Sequence, residues 1–249
     1  VDSIAISPDQ SVTQITDHLA KVRDTVAHAA QRSGRSADAV TIVAVSKKHS
    51  AATVRAAYDA GQRDFGENFV QEAVEKIAAL GLPDAKWHFI GRIQANKTRD
   101  IARYFDWVHT VDRAKIARRL SEHRTHYAPP LDVCIQVNLG AEPQKGGVAP
   151  ADLPGLVAEV QSLPKIRLRG LMTMPPASAD DSTLRAIFGE LARLERELVR
   201  AGAALDTLSM GMSGDLEIAV ECGSTMVRIG TAIFGERPPD LRDDAATTA

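Results

Sequence analysis

Eight short, nearly continuous apolar runs recur along the 249-residue chain, separated by stretches whose apolar residues repeat near every 3.6 positions. The runs are Thr41–Val45, Arg63–Gly66, Trp87–Gly91, Trp107–Val111, Asp132–Asn138, Arg167–Met172, Thr207–Met210 and Met226–Gly230. Runs that do not alternate apolar with polar residues suit parallel strands covered on both faces. The intervening stretches read as helices. A-A-T-V-R-A-A-Y-D-A-G and F-V-Q-E-A-V-E-K-I-A-A-L-G both end on a glycine that can close a helix, Arg113–His123 is basic and amphipathic, and T-L-R-A-I-F-G-E-L-A-R-L-E-R-E-L-V-R-A-G is the longest. One further helix precedes the first strand, over S-V-T-Q-I-T-D-H-L-A-K-V-R-D-T-V-A-H-A-A-Q-R-S-G.

Strands alternating with helices give either an open doubly wound sheet or a closed barrel. No G-x-G-x-x-G follows the first strand, which weakens the doubly wound alternative. Eight strands with no separate second block favour a single (β/α)8 barrel with an extra N-terminal helix, spanning residues 1–249 with residues 1–10 and 238–249 as flexible tails. A net charge of −2 argues against a polyanion-binding surface, so nucleic acid is not the expected partner. No run of about 18 apolar residues suggests a membrane span. The N-terminal V-D-S-I-A-I-S-P-D-Q lacks the basic and apolar regions of a signal peptide. With two cysteines, Cys134 and Cys222, the expectation is a reduced, cytoplasmic protein without a disulfide framework. Nothing in the sequence suggests a metal site, and the helices show no strong apolar excess, so a monomer is expected.

In such a barrel the chemistry sits where strands end and helices begin. Those ends carry Ser46-Lys47-Lys48, Gly66-Glu67-Asn68, Gly91-Arg92-Ile93-Gln94, Asp112, Asn138, Thr173, M-G-M-S-G-D and R-I-G-T. The last two follow strands seven and eight, a place where barrels often bind phosphate. Their glycines let backbone approach an anion, and Ser213 and Thr231 add hydroxyls. At the end of strand one, Lys47 and Lys48 have opposite parity, so one of them faces the barrel interior. Lys48 reads as a surface residue. An inward Lys47 is partly desolvated and near Arg228, conditions that favour a neutral amine able to form a Schiff base with an aldehyde. Pyridoxal 5′-phosphate unites the two clues, with an aldehyde at one end and a phosphate at the other.

The chain resembles the pyridoxal 5′-phosphate homeostasis protein family, whose members are related in fold to the barrel domain of alanine racemase. The matching stretches are V-A-V-S-K, F-G-E-N-F-V-Q-E, W-H-F-I-G-R-I-Q-A-N-K, V-N-L-G-A-E-P-Q-K-G-G, L-R-G-L-M-T-M, L-S-M-G-M-S-G-D and E-C-G-S-T-M-V-R-I-G-T-A-I-F-G, from about Val43 to Arg237. The resemblance implies that Lys47 is the Schiff-base lysine, and that the protein buffers or delivers the cofactor without strong catalysis. Family members commonly read S-K-T-K-P where this chain reads S-K-K-H-S, so His49 stands in place of a second lysine and Ser50 in place of a proline. Lys145, in E-P-Q-K-G-G, matches a family lysine implicated in cofactor handling.

Further cofactor contacts are expected from Asn68 near the ring hydroxyl, from Ser213, Gly230 and Thr231 at the phosphate, and, as the resemblance to the racemase barrel implies, from Arg228 at the pyridine nitrogen or beside the phosphate. His88 is expected to line the ring, while His109 is left in the core. Met210 and Met212 are expected to pack, with Met210 counted in the cofactor-binding set. The favoured function is an intracellular carrier with PLP-dependent apoenzymes as recipients. One alternative is a racemase-like enzyme acting on an amino acid. Against it, Tyr58, Tyr104 and Tyr127 all fall away from the rim, and no second acid–base group faces Lys47. Another alternative is a cofactor-free barrel enzyme that uses Lys47 on a sugar phosphate.

Overall fold

The computed structural model describes residues 8–140 and 146–236, with side chains from residue 12 onward. Its eight strands are β1 (Thr41–Val45), β2 (Asp64–Glu67), β3 (Lys86–Phe89), β4 (Trp107–Val111), β5 (Leu131–Gln136), β6 (Ile166–Met172), β7 (Thr207–Ser209) and β8 (Met226–Ile229). Each pairs in parallel with the next, and β8 pairs with β1, so the sheet closes into a barrel in sequence order. The helices are α1 (Pro8–Arg32), α2 (Ala51–Asp59), α3 (Val70–Leu80), α4 (Thr98–Tyr104), α5 (Ala114–His123), α6 (Leu153–Gln161), α7 (Asp181–Arg200), α8 (Leu216–Glu221) and α9 (Thr231–Phe234).

The expected eight strands are present in the expected order, with most ends shifted by one or two residues. Residues 8–10 belong to α1 rather than to a flexible tail, and Pro8 suits a first helical position because its missing N–H would have no partner there. Lys145 lies outside the described residues. The helices α4, α8 and α9 were not expected from the sequence, since each is too short to display a helical period.

Local chemistry sets the element ends. Ser50 caps α2 by accepting the Thr53 N–H at 3.2 Å. Asp180 caps α7 in the same way through the Thr183 N–H at 2.8 Å. Gly81 closes α3 in the left-handed region, at φ 53°.

Two apolar layers result from the strand alternation. The larger lies between sheet and helices and includes Ala44, Phe65, Trp87, Phe89, Val108, Val133 and Val227. The smaller fills the barrel interior with Val43, Trp107, Cys134, Met172 and Met226. The helix α1 packs against α2, α8 and α9, burying Leu19, Val22, Val26, Ala29 and Ala30. It shields the β8–β1 side of the barrel, which α9 with its four residues is too short to cover.

Candidate functional site

The alternation of β1 decides which lysine faces inward. Val43 belongs to the interior cluster and Ala44 to the outer layer. Val45 then faces the C-terminal mouth, Ser46 turns outward to Glu67, and Lys47 returns to the mouth. Lys48 is exposed and takes the left-handed conformation, at φ 63°, that turns the chain toward α2. His49 is buried and packs its ring 5.0 Å from that of Phe234.

The peptide carrying Lys47 is anchored on both sides. Ser46 Oγ donates to Glu67 Oε1 at 2.7 Å, and Ser46 O accepts from Lys76 Nζ at 2.7 Å. The Lys48 N–H donates to Glu72 Oε1 at 2.5 Å. Lys76 also donates to Glu67 Oε1 at 2.7 Å and to Glu72 Oε1 at 2.6 Å, so one buried ammonium gathers the cluster. Burial pushes the Glu67 carboxyl above the ordinary carboxylate range, outweighing the opposing pull of Lys76. This cluster does not stand out in the sequence. Its one visible signal is the four-residue spacing of Glu72 and Lys76 on α3.

Lys47 opens onto a hollow of about 240 Å³, whose lining also includes Val45, Asn68, Arg228, Gly230 and Thr231. That is small beside the ~300–1,000 Å³ of typical drug-sized sites and suits a compact ligand. Asn68 Oδ1 is buried and has no hydrogen-bond partner among the described residues, an acceptor in want of a donor. Its backbone lies so near Gly91 that a Cβ there would stand 2.1 Å from Asn68 O. Arg228 is buried, and its guanidinium donates to Ser209 Oγ at 2.7 Å and to Thr173 O at 2.9 Å. Burial lowers its pKa to about 10, which leaves it charged at neutral pH. Two of its five donors are thereby engaged, and the side chain borders the hollow.

The loop after β7 supplies another wall. Gly211 sits at φ 102°, and a Cβ there would meet that of Ala219 at 2.6 Å, so the turn requires glycine. The Met212 N–H donates to Asp215, which fixes the loop that presents Ser213. Ser213 Oγ accepts the Ala232 N–H at 3.4 Å, joining this loop to the first turn of α9.

Six of the expected residues therefore border one hollow: Lys47, Asn68, Ser213, Arg228, Gly230 and Thr231. Two do not. His88 lies inside the barrel with both ring nitrogens engaged, by Asp64 and by His109, and does not border the hollow. Met210 has the parity of the outer layer and is fully buried there, while Met212, two residues on, is exposed and borders the hollow.

A larger hollow, of about 550 Å³, opens at the N-terminal mouth. Several of its charges pair with one another. Asp132 accepts from Arg167 at 2.6 and 2.9 Å and from Arg169 at 3.0 Å, and Arg169 also pairs with Asp206 at 2.7 Å. Arg124 donates to the carbonyls of Ala102, Phe105 and Pro129. No metal-like cluster of His, Cys, Asp or Glu occurs among the described residues, and no described helix is long and apolar enough to cross a membrane.

A closed parallel barrel with a lysine, an arginine and two glycine-bearing loops at its C-terminal mouth defines a class, that of the alanine racemase N-terminal-domain barrels, and the sequence profile of that family matches residues 18–238. More narrowly, the chain belongs to the pyridoxal phosphate homeostasis protein family. It is 53% identical over 226 residues to the protein of that name from Pseudomonas aeruginosa, covering 91% of this chain and 97% of the relative. It is 47% identical over 229 residues to the one from Escherichia coli K12, covering 91% and 98%. Among solved structures it resembles PipY of Synechococcus elongatus with PLP bound, at TM-score 0.80 and 38% identity, covering 89% of this chain and all of that one.

Proposed function

We propose that this protein is a carrier of pyridoxal 5′-phosphate, holding it as a Schiff base on Lys47 and taking part in intracellular homeostasis of that cofactor. The observation that carries the reading is the meeting of Lys47, Asn68 and Arg228 with the Ser213 and Gly230–Thr231 loops around one small hollow. The names of the relatives, and the cofactor bound to PipY, support it. When bound, pyridoxal 5′-phosphate supplies an aldehyde, a phosphate and a conjugated ring able to accept electrons.

The residues fit those parts. Lys47 presents an amine from a peptide held by Ser46 and Lys48. Asn68 Oδ1 accepts from the ring hydroxyl, which gives this buried oxygen a partner. Ser213, Thr231 and the backbone from Gly230 hold the phosphate. Arg228 donates toward the pyridine nitrogen. A guanidinium keeps its protons, so that nitrogen stays unprotonated and the ring is a poor electron sink, as a carrier requires.

A racemase-like enzyme needs a second acid–base group across the ligand from Lys47. Among the described residues the lining holds no tyrosine, histidine or carboxylate. Tyr58 lies on α2, Tyr104 ends α4, and Tyr127 is 80% exposed between α5 and β5. The reading is therefore of a cytoplasmic monomer that passes its cargo to cofactor-dependent apoenzymes and has little turnover of its own.

Visible absorption of the protein with added pyridoxal 5′-phosphate, before and after borohydride, tests this. Wild type is expected to develop a Schiff-base band, and reduction to fix the cofactor to the peptide containing Lys47. Lys47→Ala is expected to show neither. A wild type without the band overturns the reading and leaves lysine chemistry on another phosphorylated carbonyl.

A further inference from the structure

A line of polar contacts runs through the barrel from one mouth to the other. Asp64 begins β2 at the N-terminal mouth, its side chain 21% exposed, and its Oδ1 lies 3.0 Å from Nε2 of His88 on β3. Nδ1 of His88 is 2.9 Å from Nε2 of His109 on β4. Nδ1 of His109 is 2.8 Å from Oγ of Ser209 on β7, and Arg228 on β8 donates to that same oxygen at 2.7 Å. His88, His109 and Ser209 are fully buried.

The two ends dictate where the protons sit. A guanidinium only donates, and a carboxylate only accepts. Ser209 Oγ accepts from Arg228, and its own O–H remains to serve Nδ1 of His109. His109 then carries its proton on Nε2 and donates to Nδ1 of His88. His88 likewise carries its proton on Nε2 and donates to Asp64. Every donor meets one acceptor with both imidazoles neutral. Burial above all holds His109 well below the ordinary imidazole range, in keeping with a neutral ring there. Reversing the line would set a bare Nε2 of His88 against the Asp64 carboxylate, two acceptors face to face.

This arrangement answers a difficulty posed by Arg228. A buried guanidinium is unfavourable without an anion. Among the described residues no carboxylate touches it, and Asp215 acts on it only through space. Chains of hydrogen bonds polarise one another, so a carboxylate at the far end can act through them.

We propose that Asp64, His88, His109 and Ser209 are positioning residues for the C-terminal pocket: their one-way line of hydrogen bonds orients Arg228 and makes the distant Asp64 carboxylate its counter-charge. The importance of Arg228 to the cofactor rests on the function proposed above; its orientation by the line does not.

The test begins with ligand-free wild-type protein and nitrogen-15 NMR of its imidazoles at neutral pH. Both His88 and His109 are expected to be neutral, with the proton on Nε2 and Nδ1 bare. A proton on Nδ1 of either ring, or an imidazolium, overturns the proposal. The second reading is the Arg228 Nε–H resonance, still without ligand. It is expected to move in Asp64→Leu and to return toward the wild-type position in Asp64→Asn, which restores an acceptor. An unmoved Arg228 signal in Asp64→Leu overturns the proposal. With pyridoxal 5′-phosphate added, Asp64→Leu is expected to bind about tenfold more weakly, the share of one hydrogen bond to a charged group. A wild type with no visible band overturns the cofactor reading alone, because the imidazole and Arg228 signals are read without it.

Discussion

Lys47 owes its place to neighbours on both sides as much as to its own strand, and the Lys76–Glu67 pair is central to that. Removing one partner of a buried ion pair leaves the other uncompensated, so Lys76→Met is expected to destabilise the fold by about 3–5 kcal/mol in urea unfolding. The raised pKa of Glu67 makes a second expectation. Between the ordinary carboxylate range and that raised value, the folded state binds more protons than the unfolded one. Stability therefore falls as pH rises through that window, and Glu67→Gln is expected to flatten the slope when unfolding is measured across it. The inward direction of Lys47 was legible because strand parity alone decides between two adjacent lysines. The contacts of His88 and His109 were not. Twenty-one residues separate these histidines and 100 separate His109 from Ser209, and only barrel register and closure bring them together. The same parity rule, applied to β7, would have placed Met210 in the outer layer.

Among the elements, the strands could be read because runs buried on both faces are apolar throughout, β5 being buried at every position. The helices α4, α8 and α9, with 7, 6 and 4 residues, contain too few turns for periodicity to mark them. The role of α1 was also hidden, since the sequence shows that a helix precedes β1 but not what it covers. Leu19 on its inner face is fully buried, and Leu19→Ala is expected to cost about 3–5 kcal/mol by the same unfolding measurement. Its ion pairs with α8, from Arg32 to Glu217 and Glu221, join half-exposed groups and contribute little beside that packing. Close approach of β6 and β7 gives a sharper test. A Cβ on Gly170 would lie 1.7 Å from Thr207 O, so Gly170→Ala must push the strands apart. It is expected to lower stability by about 1–3 kcal/mol or more, with a shift in the backbone amide signals of β7.

Across the whole molecule, Cys134 sits at the middle of the barrel interior, packed with Val43, Trp107, Met172 and Met226. Burial drives its thiol pKa far up, so neither access nor ionisation permits reaction in the folded state. Labelling of Cys134 by a thiol reagent is expected to follow global opening, slowing as stabilising conditions are applied, while the half-buried Cys222 reacts without it. That filled interior also separates the two hollows. Arg167, Asp132, Arg169 and Asp206 tie together the strand ends at one mouth, and His88, His109 and Trp107 occupy the space above them. The molecule is thus a cup rather than a tube. Among the described residues the C-terminal hollow opens at one rim, so whatever stands there would govern filling and emptying alike, and a ligand held there could not be drawn off from behind.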